Sequence, residues 1–182
     1  MIEELARFAE IGQHRRRWYN FAYNMANNYA IARGYPTRVV VSVLAITSPR
    51  VSVWQNWRMM RRYMENSSGP ERFDGLMGST IAALKHYEAT GEIRGPKTAK
   101  FRDAIMLDPD ALVLDVWMAR AFKVTHAEVT HKKHAEWIFS MMRNLALDFG
   151  WTIAETQAAV WDGIRRTWST KTPNANQLEL AV

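Results

Sequence analysis

The chain has 182 residues, of which 48% are hydrophobic and 23% charged, and its formal net charge is +6; this balance excludes a disordered chain and favours a polyanionic partner. No apolar run approaches the roughly 18 residues that cross a bilayer, and the absence of cysteine excludes disulfides and thiolate-held metals. We therefore expect a cytoplasmic protein, of a bacterial or phage-infected cell, with no membrane partner and no cofactor.

Apolar residues recur at helical spacing in the first third of the chain, without a convincing strand pair or a repeat. Residues 3–32 are predicted as one long or broken helix that ends at Gly34-Tyr35-Pro36. The β-branched run Val39–Ile46 has no partner strand, so it is predicted as a buried core helix. Ser48-Pro49-Arg50 breaks this helix, and the spacing predicts another helix over 52–65.

Helices are also predicted in the remainder of the chain, which makes the expected fold class all-α. After a short helix or turn at 73–77, they are expected over 79–90, 97–107, from 115 onward, 132–149 and 154–168. Trp151, Trp161 and Trp168 recur at helical intervals and are predicted to pack in the core. We expect one domain over residues 1–170, a flexible tail over 171–182 and a monomeric protein.

Lysine and arginine form clusters along the chain, and aromatic residues lie beside most of them. The clusters are Arg15–Arg17, Arg58–Arg62, Arg94–Lys100 and Lys132–Lys133. Such clusters are either solvated helix faces or contacts to nucleic-acid phosphates, and both interpretations stay open. His126, His131 and His134 lack a carboxylate or cysteine at metal-ligand spacing, so no metal site is predicted.

The most informative segments are Gly91-Glu92-Ile93-Arg94-Gly95-Pro96-Lys97-Thr98-Ala99 and Val113-Leu114-Asp115-Val116-Trp117-Met118. A helix over 97–107 descends about 15 Å, and an extended segment over 111–115 can climb about 16 Å. The spacing therefore allows the amine of Lys97 and the carboxylate of Asp115 to share one cleft.

These two segments resemble the hairpin and catalytic segment of helix-hairpin-helix (HhH-GPD) DNA glycosylases of the endonuclease III type. In that superfamily the hairpin ends in glycine, one residue, lysine and a small pair, and an essential aspartate follows about 18 to 19 positions later. The resemblance implies a two-lobed helical bundle. It also implies that Lys97 attacks C1′ of a flipped nucleotide while Asp115 stabilises the positive charge developing on the sugar.

The resemblance extends upstream to Val41–Asn56, which is similar to the core helix, polar loop and following helix of the superfamily, and it covers about residues 37–170. It implies two further sets of site residues. The DNA-contacting set is Arg94, Gly95, Thr98, Lys100, Arg50, Gln55 and Asn56. The base-pocket set is Trp54, Trp117 and Gln157. For Trp54 a place in the core is an equal alternative.

The chain also departs from the superfamily pattern. Ile93 stands where the hairpin usually has its first glycine, and Pro96 precedes the lysine, so fewer backbone N–H groups can hold a phosphate. Trp117 would narrow a base pocket. The cysteine cluster of endonuclease III is absent.

Simpler roles remain open for both candidate catalytic residues. Lys97 can contact a phosphate at a helix start, and Asp115 can cap the helix that follows it. The leading hypothesis is therefore a DNA glycosylase for a damaged or modified base. The alternatives are a base-hypermodification transferase of the same fold, a non-catalytic hairpin DNA-binding protein, and a helical interaction protein without a DNA role.

Overall fold

The structure, a computed structural model, describes residues 1–66 and 69–171 and contains only helices and connecting segments within these ranges. The all-α prediction is therefore confirmed. The α-helices are α1 (Ile2–Gly12), α2 (Trp18–Arg33), α3 (Thr37–Thr47), α4 (Val53–Glu65), α5 (Gly78–Thr90), α6 (Pro96–Ile105), α7 (Val116–Ala121), α8 (Lys132–Phe149) and α9 (Ile153–Lys171). Three short 3-10 helices lie at Gln13–Arg15, Pro70–Phe73 and Glu128–Thr130.

The described residues divide into two compact units. The first unit contains residues 1–22 and 103–171, and the second contains residues 23–66 and 69–102. The tail predicted over 171–182 lies outside the described residues except for Lys171. The long N-terminal helical segment is the broken form of the prediction, since a 3-10 turn separates α1 from α2.

The second unit is organised around α3, which is buried from Val40 to Thr47. Burial on most sides explains how a run of β-branched residues forms a helix, because packing outweighs the small difference in helix propensity. Both α4 and α5 pack against α3. Asn56 on α4 fixes one of these contacts, since its amide donates to the Leu44 carbonyl at 3.1 Å and its oxygen accepts from the Thr47 hydroxyl at 2.6 Å.

The first unit is organised around α9, against which α1, α7 and α8 pack. Its core consists of fully buried aliphatic and aromatic side chains, among them Leu5, Met118, Phe122, Ile138, Met142, Leu145 and Val160. Burial of one such side chain contributes about 1.5–3 kcal/mol to folding. The helices α1 and α9 approach closely at Gly12 and Gly163, where each glycine faces backbone atoms of the opposite helix.

The prediction that three tryptophans pack in the core is wrong for Trp161 and Trp168 and only partly right for Trp151. Trp151 packs at the edge of the core and stacks on Phe149 with ring centres 4.5 Å apart, but it is only half-buried. Trp161 is half-buried outside the core cluster, and Trp168 is 43% exposed. Helical spacing shows that residues share a face, but it does not show whether that face is covered.

Candidate functional site

The predicted hairpin lies between α5 and α6 in the second unit. Gly91 ends α5 with φ +72° and donates its N–H to the Tyr87 carbonyl at 2.8 Å. Gly95, with φ +86°, turns the chain into α6, which begins at Pro96. Both positions lie in the left-handed region, where glycine avoids the penalty of a Cβ. Because glycine occupies both of these left-handed positions, the chain can form a tight turn between the two helices.

The hairpin carries its cations on the surface. Arg94, Lys97 and Lys100 are exposed, whereas Thr98 is half-buried, and Glu92 is the one carboxylate within residues 91–100. Lys97 is the second residue of α6 and so belongs to its first turn, where the backbone N–H groups have no partner within the helix. This segment is therefore positively charged in both its side chains and its helix end.

The loop between α3 and α4 belongs to the same unit. Arg50 is exposed and has a left-handed backbone with φ +60°, which is uncommon for a residue with a side chain. Ser52 and Gln55 form a capping box, in which each side chain accepts the other residue's backbone N–H, at 3.2 and 3.0 Å. Trp54 is 53% exposed, and Asn56 is buried with its amide bonded to α3. Of these residues, Arg50, Trp54 and Gln55 can meet an external partner.

Asp115 belongs to the first unit and is the N-cap of α7. Its Oδ1 accepts the backbone N–H groups of Trp117 and Met118, both at 2.9 Å, and the residue is half-buried. The simpler role considered for Asp115 is therefore present in the structure. The same two bonds hold the carboxylate in a fixed orientation.

Gln157, on α9, fixes the extended segment that leads to Asp115. Its Oε1 accepts the Val113 N–H at 3.1 Å, and its Nε2 donates to the Val113 carbonyl at 2.9 Å. The buried Tyr19 hydroxyl donates to the same Oε1 at 3.3 Å. Burial, and secondarily the Asp115 carboxylate, raises the pKa of Tyr19 well above its usual range, so the hydroxyl stays protonated as the donor. Gln157 is thus buried and bonded at both ends of its amide.

Replacement of Gln157 by leucine is expected to destabilise the protein by about 3 kcal/mol, because the N–H and carbonyl of Val113 would stay buried without partners. The measurement is urea denaturation followed by circular dichroism. Tyr19→Phe is the matched control, since it removes the 3.3 Å hydrogen bond from the Tyr19 hydroxyl to Gln157 and leaves the two bonds to Val113 in place. This change should cost about 1 kcal/mol. Equal stability of Gln157→Leu and the wild type would contradict this role.

Three tryptophans and two arginines alternate across α7 and α9. The Arg165 guanidinium carbon lies 4.4 Å from the ring centre of Trp161 and 5.8 Å from that of Trp117. The Arg120 guanidinium carbon lies 4.4 Å from the ring centre of Trp117 and 4.9 Å from that of Trp168. We call these five residues the Trp–Arg ladder. Such cation–π contacts contribute roughly 0.5–1 kcal/mol each at exposed sites.

The Asp115 carboxylate interacts electrostatically with Arg165, one of the two cations of the Trp–Arg ladder. Burial lowers the pKa of Arg165, and the attraction of Asp162 and Asp115 opposes this shift. Trp117, two residues after Asp115, is half-buried within the ladder. Arg120 and Arg165 were not among the predicted site residues, although each lies three or four residues from a tryptophan on the same helix face.

A protein-family comparison covers nearly all of this architecture. The family described as "Family of unknown function (DUF7178)" matches residues 7–168. The chain belongs to this family. The DUF7178 match includes the hairpin, Asp115 and the whole Trp–Arg ladder. No curated protein and no solved structure matches the chain.

Within residues 1–66 and 69–171, no helix is both long enough and apolar enough to cross a membrane. In the part of the chain that the structure describes, histidine, aspartate and glutamate side chains form no group of three or more suited to a metal ion.

Proposed function

We propose that this protein binds DNA through the hairpin at residues 91–100 and acts on a flipped nucleotide at its N-glycosidic bond, as a DNA glycosylase does. The observation that supports the proposal best is the exposed hairpin, which combines two left-handed glycines, three cations and the start of a ten-residue helix. The sequence resemblance to helix-hairpin-helix DNA glycosylases adds the reaction class.

The proposed DNA contact is to the phosphate backbone. Pro96 has no N–H, so the backbone donors at the start of α6 are those of Lys97 and Thr98. Arg94, Lys97 and Lys100 add charge that releases counterions when a phosphate approaches. These contacts position the protein on the duplex and carry no base specificity of their own.

The proposed chemistry rests on the Asp115 carboxylate, and the sequence resemblance to the glycosylases assigns the nucleophile to Lys97. When the bond between C1′ and the base nitrogen breaks, the base leaves with the electron pair and positive charge develops on the sugar. The Asp115 carboxylate, already held by two backbone N–H groups, stabilises that charge without reorganisation. The Lys97 amine adds to C1′ as the nucleophile and loses its proton to solvent.

A non-catalytic DNA-binding protein is the second candidate. The observation that favours it is the complete N-cap of α7, which gives Asp115 a structural role without catalysis. Lys97, exposed at the start of a helix, likewise suits a phosphate contact. Both candidates require the hairpin to bind DNA, and they differ in base release.

DNA binding by the hairpin is expected to depend steeply on salt. For each of Arg94→Ala and Lys97→Ala, we expect weaker binding to a fluorescein-labelled duplex and a decrease of about one in the slope of log K against log salt. Arg143→Ala, which removes an exposed cation from α8, is the matched control and should leave the slope unchanged. Duplex binding that is insensitive to both hairpin substitutions would contradict the proposed interface.

Base release separates the two candidate functions. The substrates are duplexes containing uracil, oxidised, alkylated or hypermodified bases, and the readouts are abasic sites and a borohydride-trapped adduct. The glycosylase proposal expects release from at least one duplex and an adduct that is absent in Lys97→Ala. Tight binding without release from any of them supports the non-catalytic candidate.

A further inference from the structure

The Trp–Arg ladder has an exposed edge that the proposed hairpin contact does not use. Trp168 is 43% exposed, and Arg120 is exposed beside it on α7. A large indole and a guanidinium on the surface are residue types enriched among those that dominate binding energy. The exposed edge is therefore a candidate binding surface in the first unit.

The arrangement holds these side chains in place before a ligand arrives. Arg120 lies over both Trp117 and Trp168, and Arg165 lies over both Trp161 and Trp117. Each arginine is shared between two rings, which restricts the rotamers of long side chains. A ligand that stacks on the exposed edge therefore loses less free energy to side-chain ordering than it would on isolated residues.

The charge around the Trp–Arg ladder is distributed unevenly. Asp162 is buried, Asp115 is half-buried, and both attract the half-buried Arg165. Asp162 also accepts a hydrogen bond from the exposed Arg166 at 2.7 Å. The two carboxylates are thus buried or half-buried, whereas the exposed edge of the ladder consists of the Arg120 cation and the Trp168 ring.

We propose that this edge binds an unpaired nucleotide of DNA, with its base stacked on Trp168 and its phosphate contacted by Arg120. Trp168 and Arg120, the exposed members of the ladder, are an aromatic ring and a cation, the two kinds of group with which single-strand-binding proteins contact bases and phosphates. A paired base inside a duplex has both faces covered by its neighbours, so only an unpaired base can stack in this way. The proposal names the substrate surface of the proposed DNA enzyme and rests on that function for the choice of DNA.

The test compares a single strand of roughly ten thymidines with a fully paired duplex, by fluorescence anisotropy at several salt concentrations. We expect Trp168→Ala to weaken single-strand binding by about fivefold to a hundredfold and to leave duplex binding within about twofold. Trp168→Phe should restore part of the loss, because phenylalanine retains an aromatic face. Arg120→Ala should weaken single-strand binding and lower its salt slope by about 0.7.

Matched controls distinguish stacking from a general loss of structure. Trp137→Ala removes an indole that is 37% exposed on α8 and packs against the buried Phe122, so it should affect stability and leave single-strand binding unchanged. Arg143→Ala removes an exposed cation from the same helix and should also leave binding unchanged.

Three results would overturn the proposal. The first is that Trp168→Ala binds the thymidine strand as tightly as the wild type does. The second is that Trp168→Ala and Trp137→Ala lose the same single-strand affinity. The third is that the wild type binds a uridine strand of the same length more tightly than the thymidine strand. The hairpin substitutions report separately on the proposed function. If the ladder substitutions leave single-strand binding unchanged while Arg94→Ala and Lys97→Ala still weaken duplex binding, the single-strand proposal is wrong and the proposed DNA function stands. If duplex binding is insensitive to the two hairpin substitutions, the proposed DNA function itself is contradicted.

Discussion

Gly163→Ala is expected to destabilise the first unit by about 3 kcal/mol, because a Cβ at this position would overlap the backbone of Phe8 on α1. The atoms that it would meet are the carbonyl oxygen, carbonyl carbon and Cα of Phe8, none of which can move away as a flexible side-chain tip can. Alanine favours a helix interior over glycine by about 1 kcal/mol, but the overlap acts against this gain and exceeds it. Gly12, on the facing helix, meets the backbone of Ala159 in the same way.

The measurement is the midpoint and slope of urea denaturation for Gly163→Ala and for a matched control. Gly78→Ala serves as the control, since Gly78 is the first residue of α5 and has no atom within 4 Å of the added Cβ. We expect Gly78→Ala to be as stable as the wild type or slightly more stable. A similar result for Gly163→Ala would mean that α1 and α9 do not cross closely at these glycines.

Helix positions were predictable where the signals are local. The predicted bounds of α8 match the structure, because Gly150 ends the helix in the left-handed conformation that glycine favours. The start of α4 was predictable to within one residue, since Ser52 and Gln55 have the spacing of a capping box. A short helix or turn was predicted over 73–77; the structure has a turn at 74–75, and the short 3-10 helix lies just before it, at Pro70–Phe73. Only weak turn signals mark that segment.

The faces that helices present to one another were not predictable, because they depend on contacts distant in sequence. Gln157 bonds Val113 across 44 residues, and no local pattern indicates that its amide bridges a backbone N–H and carbonyl. The pairing of Trp117 with Arg165 likewise requires that α7 packs against α9. The surface position of Trp168 follows from that packing. The spacing of Lys97 and Asp115 predicted a shared cleft, and this stays a prediction, since the two residues belong to different units.

Asp115→Asn is expected to lower base release by about a hundredfold to a thousandfold while the fold stays intact. Asparagine keeps an oxygen that can accept the N–H groups of Trp117 and Met118, and it caps helices about as well as aspartate. What it removes is the negative charge that the proposed reaction needs opposite the developing charge on the sugar. The loss should therefore appear in single-turnover rates of base release, with little change in thermal unfolding.

Two further variants distinguish the capping role of Asp115 from its proposed role in the reaction. Asp115→Ala removes both the charge and the cap, so it should lose activity to a similar extent and also about 1 kcal/mol of stability. Thr152→Ala removes a cap of the same unit, where the Thr152 hydroxyl accepts the Glu155 N–H at 3.1 Å, and should lose similar stability with full activity. If Asp115→Asn releases bases at the wild-type rate, Asp115 acts only as the cap of α7 and the chemistry must lie elsewhere. If activity instead falls in step with stability in all three variants, the carboxylate charge has no part in the reaction.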